Sequence, residues 1–192
     1  FEPTPGLRLG AVFASGVPVE LEGDVKFTSS DGEVLTSTQK TTFAIPFTLQ
    51  GGINYEIATD FELAADIRYW HYQVNQEQRT TLGEPILGLT GLVSPRRYKN
   101  SLNVGVGLLH RFAPGWEAMV GYHHDWSPIP PESITVDNPN GDRHGIAAGI
   151  RWYPTGGLRV GVAALRNWFE FINNQESQSN PPSNAKGVGS NL

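Results

Sequence analysis

His123, His124 and Asp125 are consecutive, and His110 and His144 lie within about two strand lengths of them in sequence. Imidazole nitrogens beside a carboxylate are the donors of zinc and copper sites. The surrounding stretch, GWEAMVGYHHD, sets Trp116, Ala118, Val120 and Tyr122 against Glu117, Met119, Gly121 and His123. On a strand, consecutive side chains point to opposite faces. His123 therefore shares a face with Asp125, while His124 shares the other with His110 and His144. Polar residues near the wet ends of strands account for this pattern, so neither a metal nor a cofactor is expected.

Arg68, Arg143 and Arg151 fall on the polar face that also carries Asp66 and Glu117. A guanidinium inside an apolar pocket suits a carboxylate ligand, although opposite charges across a hydrated space more often form structural ladders. The segment EPILGLTGLV (84–93), with Ile86, Leu87 and Leu89, is apolar for a connection. It offers a docking surface for hydrophobic molecules, or else packs against neighbouring loops. No G-x-S-x-G, P-loop or H-E-x-x-H is present, and Gly105-x-Gly107 lies mid-strand. No catalytic residue is expected, and the chain does not read as an enzyme.

The elements that must position these residues share a period of two. LRLGAVF, FTLQGGINYEI, DFELAADIRYW, NVGVGLLHRF, GWEAMVGYHHD, RHGIAAGIRWY and LRVGVAAL give about seven strands, each with one apolar face and one of Gly, polar and charged residues. Connections alternate in length. ATD (58–60), APG (113–115) and PTGG (154–157) are short, while 16–43, 74–99 and 127–141 are long. That is the pattern of an antiparallel up-and-down meander whose two ends face different compartments. Within the long connection 16–43, VPVELEGDVKF reads as strand continuing beyond the membrane. In HRFAPGW and RWYPTGGL the short turn follows an aromatic and precedes a large apolar residue. FEPTPGL at the start has the same form, so Phe1 reads as the last residue of a further strand.

Composition narrows the class. A formal net charge of −5 without long runs of one sign argues against a nucleic-acid partner. Cysteine is absent, which removes disulfides and thiolate ligands. No apolar run approaches the roughly 18 residues of a membrane helix, and the first residues have no secretory-signal character. A membrane β-barrel meets neither objection. Aromatics gather beside the short turns (Tyr55, Phe61, Phe112, Trp116, Trp152, Tyr153), as in an interfacial girdle. The polar face, with Glu62, Asp66, Arg68, Glu117 and Arg151, suits a hydrated lumen. The expected fold is all-β, with the apolar face outward in lipid.

The stretch GWEAMVGYHHDWSPIPPESITVDNPNGDRHGIAAGIRWYP resembles the C-terminal half of the FadL/TodX family of outer-membrane transporters. The matching elements are Tyr122, Asp125, Ser127, Pro128 and Pro130, then the pair Asp142-Arg143. AIPFTLQGGINYEIATDFELAADIRYWHY and YKNSLNVGVGLLHRFAPGW are similar to the strands that precede them. The resemblance implies about seven strands of a fourteen-stranded transmembrane barrel plugged by an N-terminal hatch, with the remaining strands and hatch supplied by the missing part of a longer chain or by another chain. It implies passive uptake of long-chain fatty acids or other hydrophobic small molecules in a Gram-negative outer membrane, in contact with its lipid. Asp142 and Arg143 are expected to tie the Ser-Pro loop to the rim. A barrel segment is expected over residues 1–170, and a loop or linker with the possible start of the final strand over 171–192. The alternatives are a structural barrel subunit of an envelope assembly and a soluble lipid-binding β-barrel.

Overall fold

The computed structural model describes residues 1–134, 140–154, 157–174 and 185–191, with backbone alone over 171–174 and 185–191. Eight strands form the wall: β1 (Leu7–Ala14), β4 (Thr48–Ala58), β5 (Phe61–Trp70), β8 (Ser101–Ala113), β9 (Trp116–Asp125), β10 (Arg143–Trp152), β11 (Val160–Asn174) and β12 (Ala185–Asn191). They make one antiparallel sheet in the order β1-β4-β5-β8-β9-β10-β11-β12. A second sheet, β2-β3-β6-β7, contains β2 (Val17–Thr28), β3 (Val34–Ile45), β6 (Glu77–Ile86) and β7 (Leu89–Pro95).

The gaps in the wall order explain the second sheet. The β2–β3 hairpin lies between β1 and β4 in sequence, and the β6–β7 hairpin between β5 and β8. Each carries its pair of wall strands past the rim, and β3 pairs with β6 just as β4 pairs with β5. The joints between wall and extension are specific. A Cβ on Gly16 would lie 2.9 Å from the Ile45 carbonyl and 3.0 Å from the Phe47 amide nitrogen, so only glycine fits there. Pro46 brings no N–H to the ladder between β3 and β4. Across the second joint, the Ala44 N–H donates to Asn75 Oδ1 (2.9 Å) and Asn75 Nδ2 donates to the Ala44 carbonyl (2.7 Å). A side-chain amide thus replaces one strand residue where β5 gives way to β6.

The seven expected strands are β1, β4, β5 and β8 to β11, and β12 is an eighth, paired along β11. The stretch 74–99, expected as a loop, is instead largely the β6–β7 hairpin. Residues 175–184 of the expected linker and 155–156 of the last short turn lie outside the described residues.

Burial separates the two faces of the wall. Val106 (53%), Val120 (51%) and Ile146 (48%) are exposed on the apolar face. The Glu62 and Glu117 side chains on the other face are only 12% exposed. The sheet curls with its polar face on the concave side, the reverse of a soluble barrel. Aromatic rings belt both ends of the convex face. Trp116 stacks on Trp152 (5.4 Å) beside the short turns, and His144 stacks on Trp168 (5.6 Å) at the other end.

Candidate functional site

Strand alternation and register divide the concave face into two charged tiers. The lower tier lies one residue in from the short turns. Glu62 is its hub: it accepts from Arg111 (2.7 Å) and Asn54 Nδ2 (2.6 Å), and the Arg8 guanidinium pairs with it ionically at 2.9 Å. Glu117 continues the chain, with Arg111 at 3.5 Å, Arg151 at 3.6 Å and the Tyr153 hydroxyl donating to it at 2.8 Å. Arg151 also donates to Tyr153 (3.0 Å) and Met119 Sδ (3.1 Å). The upper tier sits at the outer rim. Arg143 Nε donates to Asp125 Oδ2 at 2.5 Å, and Asn103 Nδ2 donates to the other oxygen of that carboxylate. Between the tiers the concave face is lined largely by small residues: Gly10, Gly52, Ala64, Gly107, Gly121 and Ala147.

The structure does not bring Arg68, Arg143 and Arg151 to one place. Arg151 belongs to the lower tier and Arg143 to the upper. Arg68 Nε donates to Gln50 Oε1 (3.0 Å), and its guanidinium lies 5.3 Å from the centre of the Trp70 ring. Among the described residues it is the lumen-facing wall arginine with no carboxylate at ion-pair distance.

The Ser-Pro segment does converge. Asp142 Oδ1 accepts from the Ser127 N–H (2.7 Å), Ser127 Oγ donates to the Asn140 carbonyl (2.8 Å), and the Ile129 N–H donates back to Ser127 Oγ (3.1 Å). Lys99 N–H donates to the Pro128 carbonyl (2.8 Å), joining this loop to the start of β8. Pro128, Ile129, Pro130 and Ile134 are buried beneath it. Asp142→Ala removes a charge-assisted acceptor, a loss of about 1–3 kcal/mol to the loop. We expect faster proteolysis within 126–142 in intact outer membranes, with unchanged cleavage elsewhere. Asp142→Asn, which keeps an acceptor oxygen, should fall between the two.

The apolar segment 84–93 forms the tip of the β6–β7 hairpin. Ile86 and Leu89 pair across a two-residue turn in which both Leu87 (φ +51°) and Gly88 (φ +79°) are left-handed. Ile86 is buried, whereas Leu87 (67%) and Leu89 (61%) project into the surroundings. A leucine in a conformation that favours glycine is strained by roughly 1 kcal/mol or more.

The lower-tier hub was not singled out from the sequence. Glu62, Glu117 and Arg151 are expected on the lumen face, but their grouping with Arg8 is not; all four lie near a short turn, a regularity that could have grouped them. Arg111 could not be placed that way, because the β8–β9 register shifts between His110 and Ala113.

Strands β5, β9 and β10 are each 10 residues long, enough to cross a hydrocarbon core when tilted. With an apolar convex face, two aromatic belts and a polar lumen, they define the wall of a transmembrane β-barrel. The chain belongs to the family described as outer membrane protein transport protein (OMPP1/FadL/TodX), whose model matches residues 1–190. It is therefore a protein of the bacterial outer membrane, in a family of transport proteins rather than enzymes. Among solved structures, it is similar to a Pseudomonas aeruginosa FadL homologue at 13% identity and a TM-score of 0.78, over 99% of this chain and 47% of that one. It is also similar to the CymD monoaromatic hydrocarbon channel, at 19% identity and a TM-score of 0.66, over 88% of this chain and 44% of that one. A deltaS2 mutant of the TodX monoaromatic hydrocarbon channel matches at 18% identity and a TM-score of 0.65, over 88% and 41%. The chain thus spans about half the length of these structures. No curated protein matches it in sequence.

Proposed function

We propose that this chain forms part of the wall of a channel for passive uptake of hydrophobic small molecules, long-chain fatty acids among them. The family match over residues 1–190 carries this reading. The exposed Leu87 and Leu89 at the outer tip give a hydrophobic molecule a first contact, and the small-residue band between the charged tiers gives it room to pass. Arg68, held among the described residues by a neutral amide and a ring face, meets the carboxylate of a fatty acid. Arg143 and Arg151 are already committed to carboxylates and hold the wall. Asp142, with Ser127, fixes the outer loop.

The wall sheet ends at β1 and β12, which do not pair with each other. Unpaired edge amides cost several kcal/mol each in hydrocarbon. Phe1 exchanges both backbone hydrogen bonds with Leu9 (2.9 and 2.8 Å), so the free edge of β1 already takes a strand neighbour. The remaining strands and the hatch are supplied by the rest of a longer chain or by another chain, with outer-membrane lipid against the convex face. The barrel segment of residues 1–170 continues through the end of β11 and into β12, which joins the same wall sheet.

The test is uptake by the full-length parent protein in a strain lacking its own hydrophobic uptake route. The parent should restore uptake of a long-chain fatty acid or a monoaromatic hydrocarbon; restoration of neither sinks the proposal. Arg68→Gln separates the substrates. A charged hydrogen bond is worth about 1.5–3 kcal/mol, so fatty-acid affinity should fall tenfold or more while a neutral hydrocarbon is unaffected.

A further inference from the structure

The strand alternation that separates His123 from His124 brings His124 together with a different histidine. His124 on β9 and His144 on β10 are direct cross-strand partners on the convex face. Glu170 on β11 faces the same way, two residues beyond Trp168, the partner of His144. Directly opposed and diagonal positions on one face of a sheet lie within mutual reach of long side chains. One ligand atom from each of His124, His144 and Glu170 falls within 4.8 Å of the other two.

We infer that these three residues bind a single borderline divalent metal ion of the zinc class at the outer, lipid-facing rim of the barrel. Two imidazoles and a carboxylate are a donor set that zinc takes readily, and they leave a fourth position open. Bond lengths near 2.0–2.1 Å put the edges of a tetrahedral site at roughly 3.4 Å, so closing it needs shifts of roughly 1–1.5 Å in the ligand atoms. Both rings are braced. His144 stacks on Trp168 (5.6 Å, 21°), and His124 meets Trp126 edge-on (4.3 Å, 69°). Among the described residues, Glu170 makes no ion pair. The nearest cation along its face, Arg166, lies over the Trp168 ring at 5.4 Å. Among the described residues, no cation matches the charge of this carboxylate, which is directed at the membrane interface. The Glu170 N–H donates to the Asp142 carbonyl (2.7 Å), so the same ion would clamp β9, β10 and β11 just below the Ser-Pro loop. The site faces away from the lumen and does not depend on the transport reading.

The experiment uses the full-length parent protein, purified in detergent, stripped with chelator and titrated with Zn²⁺ against a chromophoric competitor. One equivalent should bind. His124→Ala, His144→Ala and Glu170→Gln should each weaken that binding at least about tenfold, since even outer-shell losses have that effect. Unchanged affinity in all three, or no zinc bound to the unaltered protein, overturns the inference. Heat-dependent gel mobility identifies variants that fail to fold. Independently of any variant, zinc-edge X-ray absorption on the unaltered protein should show two imidazoles and oxygen; a shell without imidazole overturns the site.

Discussion

Val120→Arg should destabilise the parent barrel by about 2–4 kcal/mol, the depth-dependent cost of a guanidinium at the bilayer midplane. Val120 is the fifth residue of β9, between Leu108 and Ala148, and 51% exposed on the convex face. The control is Ala147→Arg at nearly the same height on the concave face. There the new side chain enters a hydrated lumen beside Gly121 and Leu165, and the expected cost is under about 1 kcal/mol. Denaturant titration of folding into lipid vesicles reads both values. Equal costs, or the larger one at Ala147, would show that the faces are assigned the wrong way round. The comparison isolates orientation, because both substitutions add the same side chain to the same pair of strands.

That assignment was legible in the sequence because it rests on a local quantity. Every wall strand from β1 to β11 carries its period-two pattern within its own residues, and the aromatics beside the short turns mark which side meets the interface. The outer sheet was less legible. VLTSTQKTTFAI in β3 is polar on both faces over much of its length, so alternation does not announce a buried side. What places β3 beside β6 is a long-range contact between Asn75 and Ala44 together with the Thr41–Thr80 hydroxyl pair (2.8 Å). Neither follows from the residues of either strand alone.

The site divides along the same line. The parity of Arg68, Arg143 and Arg151 follows from counting along each strand, but the partner of each depends on the stagger between strands. Arg151 reaches Glu117 because the two are register partners, and Arg143 reaches Asp125 for the same reason. Arg68 stands opposite Gln50 and Asn103, two neutral side chains, and so stays outside both charged tiers. His124 and His144 repeat the lesson on the other face: parity put them on one side, and register made them direct cross-strand partners.

Glu62→Leu should cost the barrel roughly 2–3 kcal/mol and should do so mainly through the arginines it leaves behind. Breaking an ion pair in a dry interior costs about 3–5 kcal/mol, because a desolvated charge is stranded. Lumen water moderates that penalty here, so the scale of one or two charged hydrogen bonds, about 1.5–3 kcal/mol each, is the better guide. The two arginines are not left equally exposed. Arg111 keeps Glu117 at 3.5 Å, whereas Arg8 retains the Asn54 amide oxygen at 2.8 Å and Glu56 only at 3.7 Å. Removing Arg8 as well should therefore recover more of the loss than removing Arg111. In a double-mutant cycle, Glu62→Leu with Arg8→Leu should fall short of additivity by about 0.5–3 kcal/mol. The deficit should shrink in high salt, which screens a wet network and leaves a dry one largely untouched. Full additivity would mean that Glu62 acts through packing alone, and the lower tier would then be a set of neighbouring charges rather than a network that holds β1, β5 and β8 together at the short-turn end.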